Sequence, residues 1–177
     1  MPLDLTYFNG FPILGMTNLP PGVNHMIKQE AYRWASKQVR AQIKRHFDVG
    51  ATLANTMAIL KQRFPHYFWV GIYFLKKNHL VLGPFQGPPA CMKLSLDKGV
   101  CASSVQEKKT LIVDNVHEFP GHVACDSRSN SEIVVPLFNR SGDLRAILDV
   151  DSEQLNDFDE TDRSGLEEIA RMLECIW

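Results

Sequence analysis

Five short runs of β-branched and aromatic residues occupy the middle of this chain, each bounded by turn-forming residues. They are FWVGIYFL (68–75), HLVLGPF (79–85), TLIVDNV (110–116), SEIVVPLF (131–138) and LRAILDVD (144–151). Runs of this length and composition are typical of β-strands. Residues 25–47, 50–64 and 159–177 instead space apolar residues three to four apart, which indicates amphipathic helices. We therefore predict an α+β fold, with helices from both chain ends packed on one face of a central antiparallel sheet.

The length of the chain favours one domain. Its 177 residues, 45% of them hydrophobic, can bury one good core but divide poorly into two. Residues 1–22 contain four prolines among aromatic residues, which predicts an extended N-terminal arm without regular structure of its own. The sequence thus predicts an arm over residues 1–22 and a folded domain over 23–177. A role for the arm as a lid over the site is a hypothesis.

The charge pattern argues against nucleic acid and membranes as partners. Nineteen basic residues balance twenty acidic ones, and no basic run supplies the attraction that a phosphate backbone or an anionic membrane would need. No stretch approaches the ~20 apolar residues that span a bilayer. The first lysine or arginine is Lys28, so we expect that the N-terminus lacks the basic region of a secretory signal. We expect a cytoplasmic protein.

Two carboxylates share one face of the last predicted strand. Alternate residues of a strand point the same way, so Asp149 and Asp151 lie about 7 Å apart on one face of 144–151. Glu132, at the start of the preceding strand, is a candidate third member. Burying such a group is costly unless a cation, a hydrogen-bond donor or a bound proton compensates it. The alternative is that the strand end frays into solvent.

A second candidate surface lies on the first predicted strand. Trp69 and Tyr73 share a face with only Gly71 between them, which predicts a notch walled by two rings. Aromatic residues on strands more often belong to a core than to a pocket. Acidic groups on one side and aromatic groups on the other would suit a small ligand with an ammonium group and an apolar end.

The chain has four cysteines, and in a reducing cytoplasm they indicate chemistry or packing rather than structural disulfides. Cys101 begins a predicted helix at 99–108, where free N–H groups favour the thiolate. Cys125 lies on an accessible polar turn, but the neighbouring Asp126 disfavours its thiolate. Cys91 follows two prolines in a loop that could swing. Cys175 is most simply a packing residue.

Two other kinds of chemistry fit parts of the pattern less well. His117, His122 and Cys125 include the H-x-x-C spacing of some zinc sites, but no C-x-x-C pair accompanies it, so we predict no metal site. The run ILDVDSE resembles a phosphotransfer motif built on D-x-D. That motif needs Thr or Val where this chain has Glu153.

Several motifs together resemble one known family. They are LVLGPFQGPPAC (80–91), GVCASS (99–104), FPGHVACDSRSNSEIVVPL (119–137) and LDVDSE (148–153) followed by FDETD (158–162). They are similar to the signature of the free methionine-R-sulfoxide reductases, enzymes built on a GAF domain. The resemblance extends from Trp69 to the C-terminal helix and excludes the arm. Ala102 departs from it, because the family usually has glycine there.

The resemblance implies a single GAF-like domain that reduces the R sulfoxide of free methionine. Glu132, Asp149 and Asp151 would then form a clamp for the α-ammonium group, which a methionine inside a protein lacks. Trp69 and Tyr73 would hold the methyl and thioether end. A protonated carboxylate near the sulfoxide oxygen could donate a proton as the S–O bond breaks.

The resemblance also implies the redox cycle. Cys125 is the expected nucleophile by its position in the family pattern, with Cys101 or Cys91 as the resolving cysteine, although the helix-start argument favours Cys101 as nucleophile. A cysteine sulfenic acid would condense to an intramolecular disulfide, which thioredoxin would reduce, and no cofactor is needed. The alternative is a GAF-type sensor that binds a small ligand without catalysis. The oligomeric state stays open, with a homodimer among the possibilities.

Overall fold

The structure is a computed structural model that describes residues 7–8, 11–12, 21–45, 47–122 and 125–177. Its main elements follow the predicted order of helices, strands and a final helix. They are β1 (Tyr7–Phe8), β2 (Phe11–Pro12), α1 (Pro21–Lys44), α2 (Val49–Arg63), β3 (Tyr67–Lys76), β4 (His79–Gln86), β5 (Lys93–Ser95), α3 (Val100–Glu107), β6 (Leu111–Val113), β7 (Ser131–Phe138), β8 (Leu144–Ser152) and α4 (Glu160–Leu173). Among these helices, none combines the length and the apolar character that a bilayer-crossing segment requires.

Strands β3 to β8 form one antiparallel sheet in the order β5-β4-β3-β8-β7-β6. The predicted central antiparallel sheet is therefore confirmed. The predicted strand at 110–116 is shorter than expected, because only Leu111–Val113 pairs with β7 and a 3₁₀ turn follows at Val116–Glu118. The edge strand β5 was not predicted, since its three residues are too few to show a period.

The N-terminal arm differs from its prediction where the structure describes it. Residues 7–8 and 11–12 pair as two short antiparallel strands, so the expectation of an arm without regular structure is wrong there. The sequence between them is Asn-Gly, the pair most strongly linked to two-residue hairpins. Helix α1 begins at Pro21, inside the predicted arm, since proline is well suited to a first helical position. Residues 1–6, 9–10 and 13–20, and with them the lid hypothesis, lie outside the described residues.

The larger core lies on one face of the sheet, under α1, α2 and α4. Alternate strand positions such as Val70, Ile72, Leu148 and Val150 are fully buried there against the three helices. The predicted packing of helices from both chain ends on one face is therefore confirmed.

Helix α3 packs on the opposite face. Trp69, Tyr73, Val134 and Ile147 point to this side and form a second, smaller core with residues of α3 such as Val105. Successive side chains of a strand point to opposite faces, so the residues that alternate with those of the larger core face α3. The candidate site residues of β3, β7 and β8 therefore lie on the α3 face.

The contact between α1 and α4 depends on a glycine. A Cβ atom added at Gly165 would lie 2.2 Å from Tyr32 Cγ, so the tyrosine ring occupies the space of the missing side chain. We expect Gly165→Ala to lower the free energy of unfolding by about 1–3 kcal/mol, because the ring or the helix must move. Urea unfolding measures this effect. Ser164→Ala, at the exposed neighbouring position, should change it by less than about 0.5 kcal/mol, and an equal effect of both variants would contradict the prediction.

Candidate active site

A cavity of about 220 Å³ opens on the α3 face of the sheet. Residues of β3, β7 and β8 line it together with the start of α3 and two loops that carry cysteines. Drug-sized ligands occupy pockets of about 300–1,000 Å³, so this cavity suits a ligand of the size of one amino acid. All eight predicted site residues line it: Trp69, Tyr73, Cys91, Cys101, Cys125, Glu132, Asp149 and Asp151.

The floor of the cavity is acidic. Glu132 on β7 pairs in register with Asp151 on β8, and Asp149 lies two residues before Asp151 on the same face. Glu132 and Asp149 are each only 6% exposed. Strand β8 continues to Ser152, so the alternative that this strand end frays into solvent is wrong. We call Glu132, Asp149 and Asp151 the acidic floor.

Burial makes ionisation of the acidic floor unfavourable. It raises the pKa of Asp149 to about 6, although hydrogen bonds with Cys101 and Glu132 act in the opposite direction. Burial and then the charge of Asp149 raise the pKa values of Glu132 and Asp151 well above their usual range. Oδ1 of Asp149 is buried and has no hydrogen-bond partner among the residues that the structure describes. The buried floor therefore disfavours carboxylate charge, and its oxygen atoms would be strong acceptors for a cation that compensates this charge.

The thiol of Cys101 lies against this floor. Its Sγ atom is 3.4 Å from Asp149 Oδ2 and 3.6 Å from Glu132 Oε1. Burial, followed by the charges of Asp149 and Glu132, raises the pKa of Cys101 well above the usual thiol range. The expectation that the helix start favours a Cys101 thiolate is therefore wrong, because an interaction of about 0.3–1 kcal/mol with the helix dipole is outweighed by burial beside two carboxyl groups.

The other two predicted cysteines are joined. Cys91 and Cys125 form a disulfide with their Cα atoms 5.6 Å apart. Cys125 is exposed on its turn at the edge of the cavity, and Cys91 is half-buried in the loop before β5. Cys175 lies near the C-terminus and is exposed, so its prediction as a packing residue is wrong.

The aromatic wall differs from the predicted notch. Trp69 and Tyr73 lie side by side with ring centroids 5.8 Å apart. A Cβ atom added at Gly71 would lie 2.2 Å from Trp69 Cη2, so the indole itself covers Gly71 and the predicted notch is filled. Phe85 on β4 stacks on the same indole at 5.5 Å and was not predicted, because it belongs to another strand.

The polar ends of the two aromatic residues hold the loop that carries Cys91. Nε1–H of Trp69 donates to the carbonyl of Pro88 at 3.1 Å, and the Tyr73 hydroxyl donates to the carbonyl of Cys91 at 3.0 Å. Buried tryptophan and tyrosine usually find such partners. The partners themselves lie about 18 residues away in the chain, where no sequence pattern identifies them.

An arginine fixes the turn that carries Cys125. Arg128 donates to both carboxylate oxygens of Asp126, at 3.0 and 2.8 Å, and its guanidinium lies over the Phe68 ring at 4.5 Å. Hydrogen bonds from Arg128 lower the pKa of Asp126 to about 2. Asp126 is therefore neutralised by an ion pair and opposes a Cys125 thiolate less than the sequence suggested. Sequence reasoning missed Arg128, although the D-x-R spacing was its signal.

The H-x-x-C alternative for a zinc site is not supported. The sulfur of Cys125 is bonded to Cys91. His117 and His122 are 6.2 Å apart at their ring centroids, and His117 Nε2 lies 3.0 Å from Asn130 Oδ1. His117 therefore has a partner of its own, and the sulfur that the H-x-x-C pattern would need is held in the disulfide.

The raised pKa of Asp149 predicts a gain in stability when its charge is removed. A carboxyl group whose pKa in the folded state is about 6 destabilises the fold once it ionises, and this cost grows as pH rises from about 4 through 6. We expect Asp149→Asn to raise the free energy of unfolding at pH 8 by about 3 kcal/mol and to lose this advantage at pH 4. Urea unfolding at both pH values measures it. Asp114→Asn, at an exposed position, should show no such difference, and a D149N protein less stable than wild type at pH 8 would contradict the prediction.

Comparisons with known proteins agree with one another. The family model described as "GAF domain" matches residues 48–173. "GAF domain-containing protein A" of Dictyostelium discoideum is 45% identical over 83% of this chain and 92% of its own length. "Free methionine-R-sulfoxide reductase" of Escherichia coli is 39% identical over 85% of this chain and 91% of its own. A solved structure of free methionine-R-sulfoxide reductase from Neisseria meningitidis, in complex with its substrate, is 44% identical and superimposes with a TM-score of 0.79 over 83% of this chain and 88% of that one.

Proposed function

Because the chain belongs to the free methionine-R-sulfoxide reductase family of GAF-domain proteins, we propose that it reduces free L-methionine (R)-S-oxide to L-methionine. One observation carries the proposal. Three acidic residues and a cysteine pair line the same small cavity. One small ligand could therefore place its ammonium group against the acidic residues and its oxidised sulfur near the cysteines.

The acidic floor supports selection of the free amino acid. The α-ammonium group of the substrate carries three donors and a positive charge, and Asp149 Oδ1 is a buried acceptor without a partner among the described residues. A methionine within a protein has an uncharged amide there. Such an amide would leave the buried carboxylates uncompensated, and sites with buried polar groups reject ligands that leave them unpaired.

The aromatic wall supports binding of the other end of the substrate. Trp69 is 4% exposed and Tyr73 is 2% exposed, and both line the cavity. Aromatic rings contact thioether sulfur and methyl groups favourably, by about 0.3–1.5 kcal/mol per contact. The hydroxyl of Tyr73 is committed to the Cys91 carbonyl, so its ring rather than its polar end faces the substrate.

The covalent steps use the two cysteines that the structure pairs. The Cys125 thiolate attacks the sulfoxide sulfur, and the oxygen is transferred so that methionine leaves and Cys125 becomes a sulfenic acid. The Cys91 thiol then attacks the sulfenic sulfur, releases water and forms the Cys91–Cys125 disulfide. The substrate gains two electrons and the two thiols lose them.

Two observations support Cys125 over Cys101 as the nucleophile. Cys125 is exposed on a turn whose carboxylate is neutralised by Arg128, whereas burial and two carboxyl groups disfavour a thiolate at Cys101. The disulfide between Cys91 and Cys125 supports Cys91 over Cys101 as the resolving residue. In this scheme Cys101 keeps its proton and packs against the floor.

A protonated carboxyl group of the floor supplies the proton that the sulfoxide oxygen needs. Burial raises the pKa values of Glu132 and Asp151 well above their usual range, which favours a bound proton that one of these groups could donate as the S–O bond breaks. A dithiol protein of the thioredoxin type then reduces the exposed disulfide in the cytoplasm. The scheme uses no metal, flavin or nucleotide.

An assay of methionine formation tests the proposal. We expect the reduced enzyme to convert free methionine (R)-sulfoxide, to leave the S epimer unchanged and to act on N-acetylmethionine sulfoxide at least about a thousandfold less efficiently. Equal activity on the N-acetyl substrate would contradict the proposal that the acidic floor binds the ammonium group of the substrate. If no epimer is reduced while calorimetry detects a bound cyclic nucleotide, the chain is a sensor domain instead.

A further inference from the structure

Three different ligand atoms meet on the floor of the cavity. The Cys101 sulfur and one carboxylate oxygen each of Glu132 and Asp149 all lie within 4.8 Å of one another, and all three residues are buried. Sulfur and carboxylate oxygen together are the donor set of borderline-soft divalent cations such as Zn²⁺. The proposed reduction assigns Cys101 no reacting role, so its position needs another explanation.

The spacing of these atoms matches a tetrahedral metal site. Zinc binds thiolate sulfur at about 2.3 Å and carboxylate oxygen at about 2.0–2.2 Å, so a tetrahedral angle separates the two ligand atoms by about 3.6 Å. The observed distances from Cys101 Sγ are 3.4 Å to Asp149 and 3.6 Å to Glu132. Small movements of the side chains would bring the three atoms around one ion.

Hydrogen bonding alone leaves this cluster incompletely satisfied. A thiol has one proton, so Cys101 cannot donate to both carboxyl groups at once. Asp149 lines the cavity and is 94% buried, and its Oδ1 atom has no hydrogen-bond partner among the described residues. A divalent cation would compensate the sulfur and the buried oxygen atoms more completely than one thiol proton can.

We propose that Cys101, Glu132 and Asp149 form a binding site for Zn²⁺, with a water molecule from the cavity as the fourth ligand. The ion would occupy the position of the substrate ammonium group, so zinc would be a reversible competitive inhibitor rather than a cofactor. Magnesium and calcium prefer sites made only of oxygen and would bind weakly. The site is distinct in chemistry from the proposed reduction, because it needs the Cys101 thiolate and not the Cys91–Cys125 pair.

Cobalt(II) is a suitable probe, because thiolate ligation gives it an intense charge-transfer absorption. The full chain is used in its disulfide form, in which Cys101 and Cys175 are the two free thiols. The Cys175→Ser variant lacks the exposed thiol, and all further substitutions are made in this variant. We expect this variant to bind one cobalt ion per chain with the charge-transfer band, and one equivalent of zinc to abolish the band.

The matched variants decide the outcome. Adding Cys101→Ser should remove the band, and adding Asp149→Asn should weaken cobalt binding at least about tenfold. Adding Glu107→Gln, at an exposed position of α3, should leave binding unchanged. A band that persists without Cys101, or the absence of any band, would overturn the proposal. The measurement requires no turnover, so it stands or fails separately from the reductase activity.

Discussion

Replacing Cys125 by serine should lower kcat/KM for free methionine (R)-sulfoxide by at least about a thousandfold, because an alcohol is a far weaker nucleophile than a thiolate. Cys125 lines the cavity on an exposed turn, and its partner in the disulfide is Cys91. Steady-state assays with a chemical dithiol reductant measure the loss. Cys175→Ser, which changes the exposed cysteine outside the cavity, should keep full activity.

Single-turnover experiments separate the roles of the cysteines. Cys91→Ser should still form about one equivalent of methionine, because the first step needs only Cys125, and a reagent specific for sulfenic acids should then label Cys125. Cys125→Ser should form none. If Cys125→Ser retains single-turnover methionine formation while Cys101→Ser does not, the nucleophile is Cys101 and the assignment is reversed.

Asp149→Asn should lower kcat/KM for the free sulfoxide by about a hundredfold or more. The change keeps the shape of the side chain but removes the charge that would pair with the substrate ammonium group, and charge-assisted hydrogen bonds in a buried site are strong. Because burial raises the pKa of Asp149 to about 6, wild-type kcat/KM should also rise as pH increases through about 6, where this carboxyl group ionises. The variant should lack this rise.

A comparison of two substrates shows what Asp149 does. With N-acetylmethionine sulfoxide, which has no positive charge, Asp149→Asn should have little effect, so the preference for the free amino acid should shrink. An equal loss on both substrates would contradict the clamp and would assign Asp149 to cleavage of the S–O bond instead. Asp114→Asn, an exposed carboxylate change, should alter neither value.

The elements of the fold could be predicted where apolar residues follow a clear period along the sequence. The strands at 131–138 and 144–151 match β7 and β8 within one residue, because alternation or continuous apolar runs define both ends. Strand β5 could not be predicted, since three residues show no period. The paired strands Tyr7–Phe8 and Phe11–Pro12 were missed because the prolines of the arm outweighed the Asn-Gly pair that stands between them in the sequence.

The candidate site could be predicted only in part, for a related reason. The two-residue period places Asp149 and Asp151 on one face without knowledge of the fold, and the structure confirms that geometry. The environment of Cys101 could not be predicted, because its high pKa depends on Glu132 and Asp149, which are 31 and 48 residues away in the sequence. Local features such as a helix start cannot reveal such long-range contacts.

Residues of strand β3 position both the loop that carries Cys91 and the turn that carries Cys125. Trp69 and Tyr73 hold the loop of Cys91, and Phe68, on the same strand, supports the turn of Cys125 through Arg128. The two cysteines are separated by 34 residues, and closing a flexible loop of that length would cost about 3 kcal/mol in entropy. The folded chain has already met that cost, so in the proposed cycle the two thiols would remain close together after reduction and could form the disulfide again without that entropic cost.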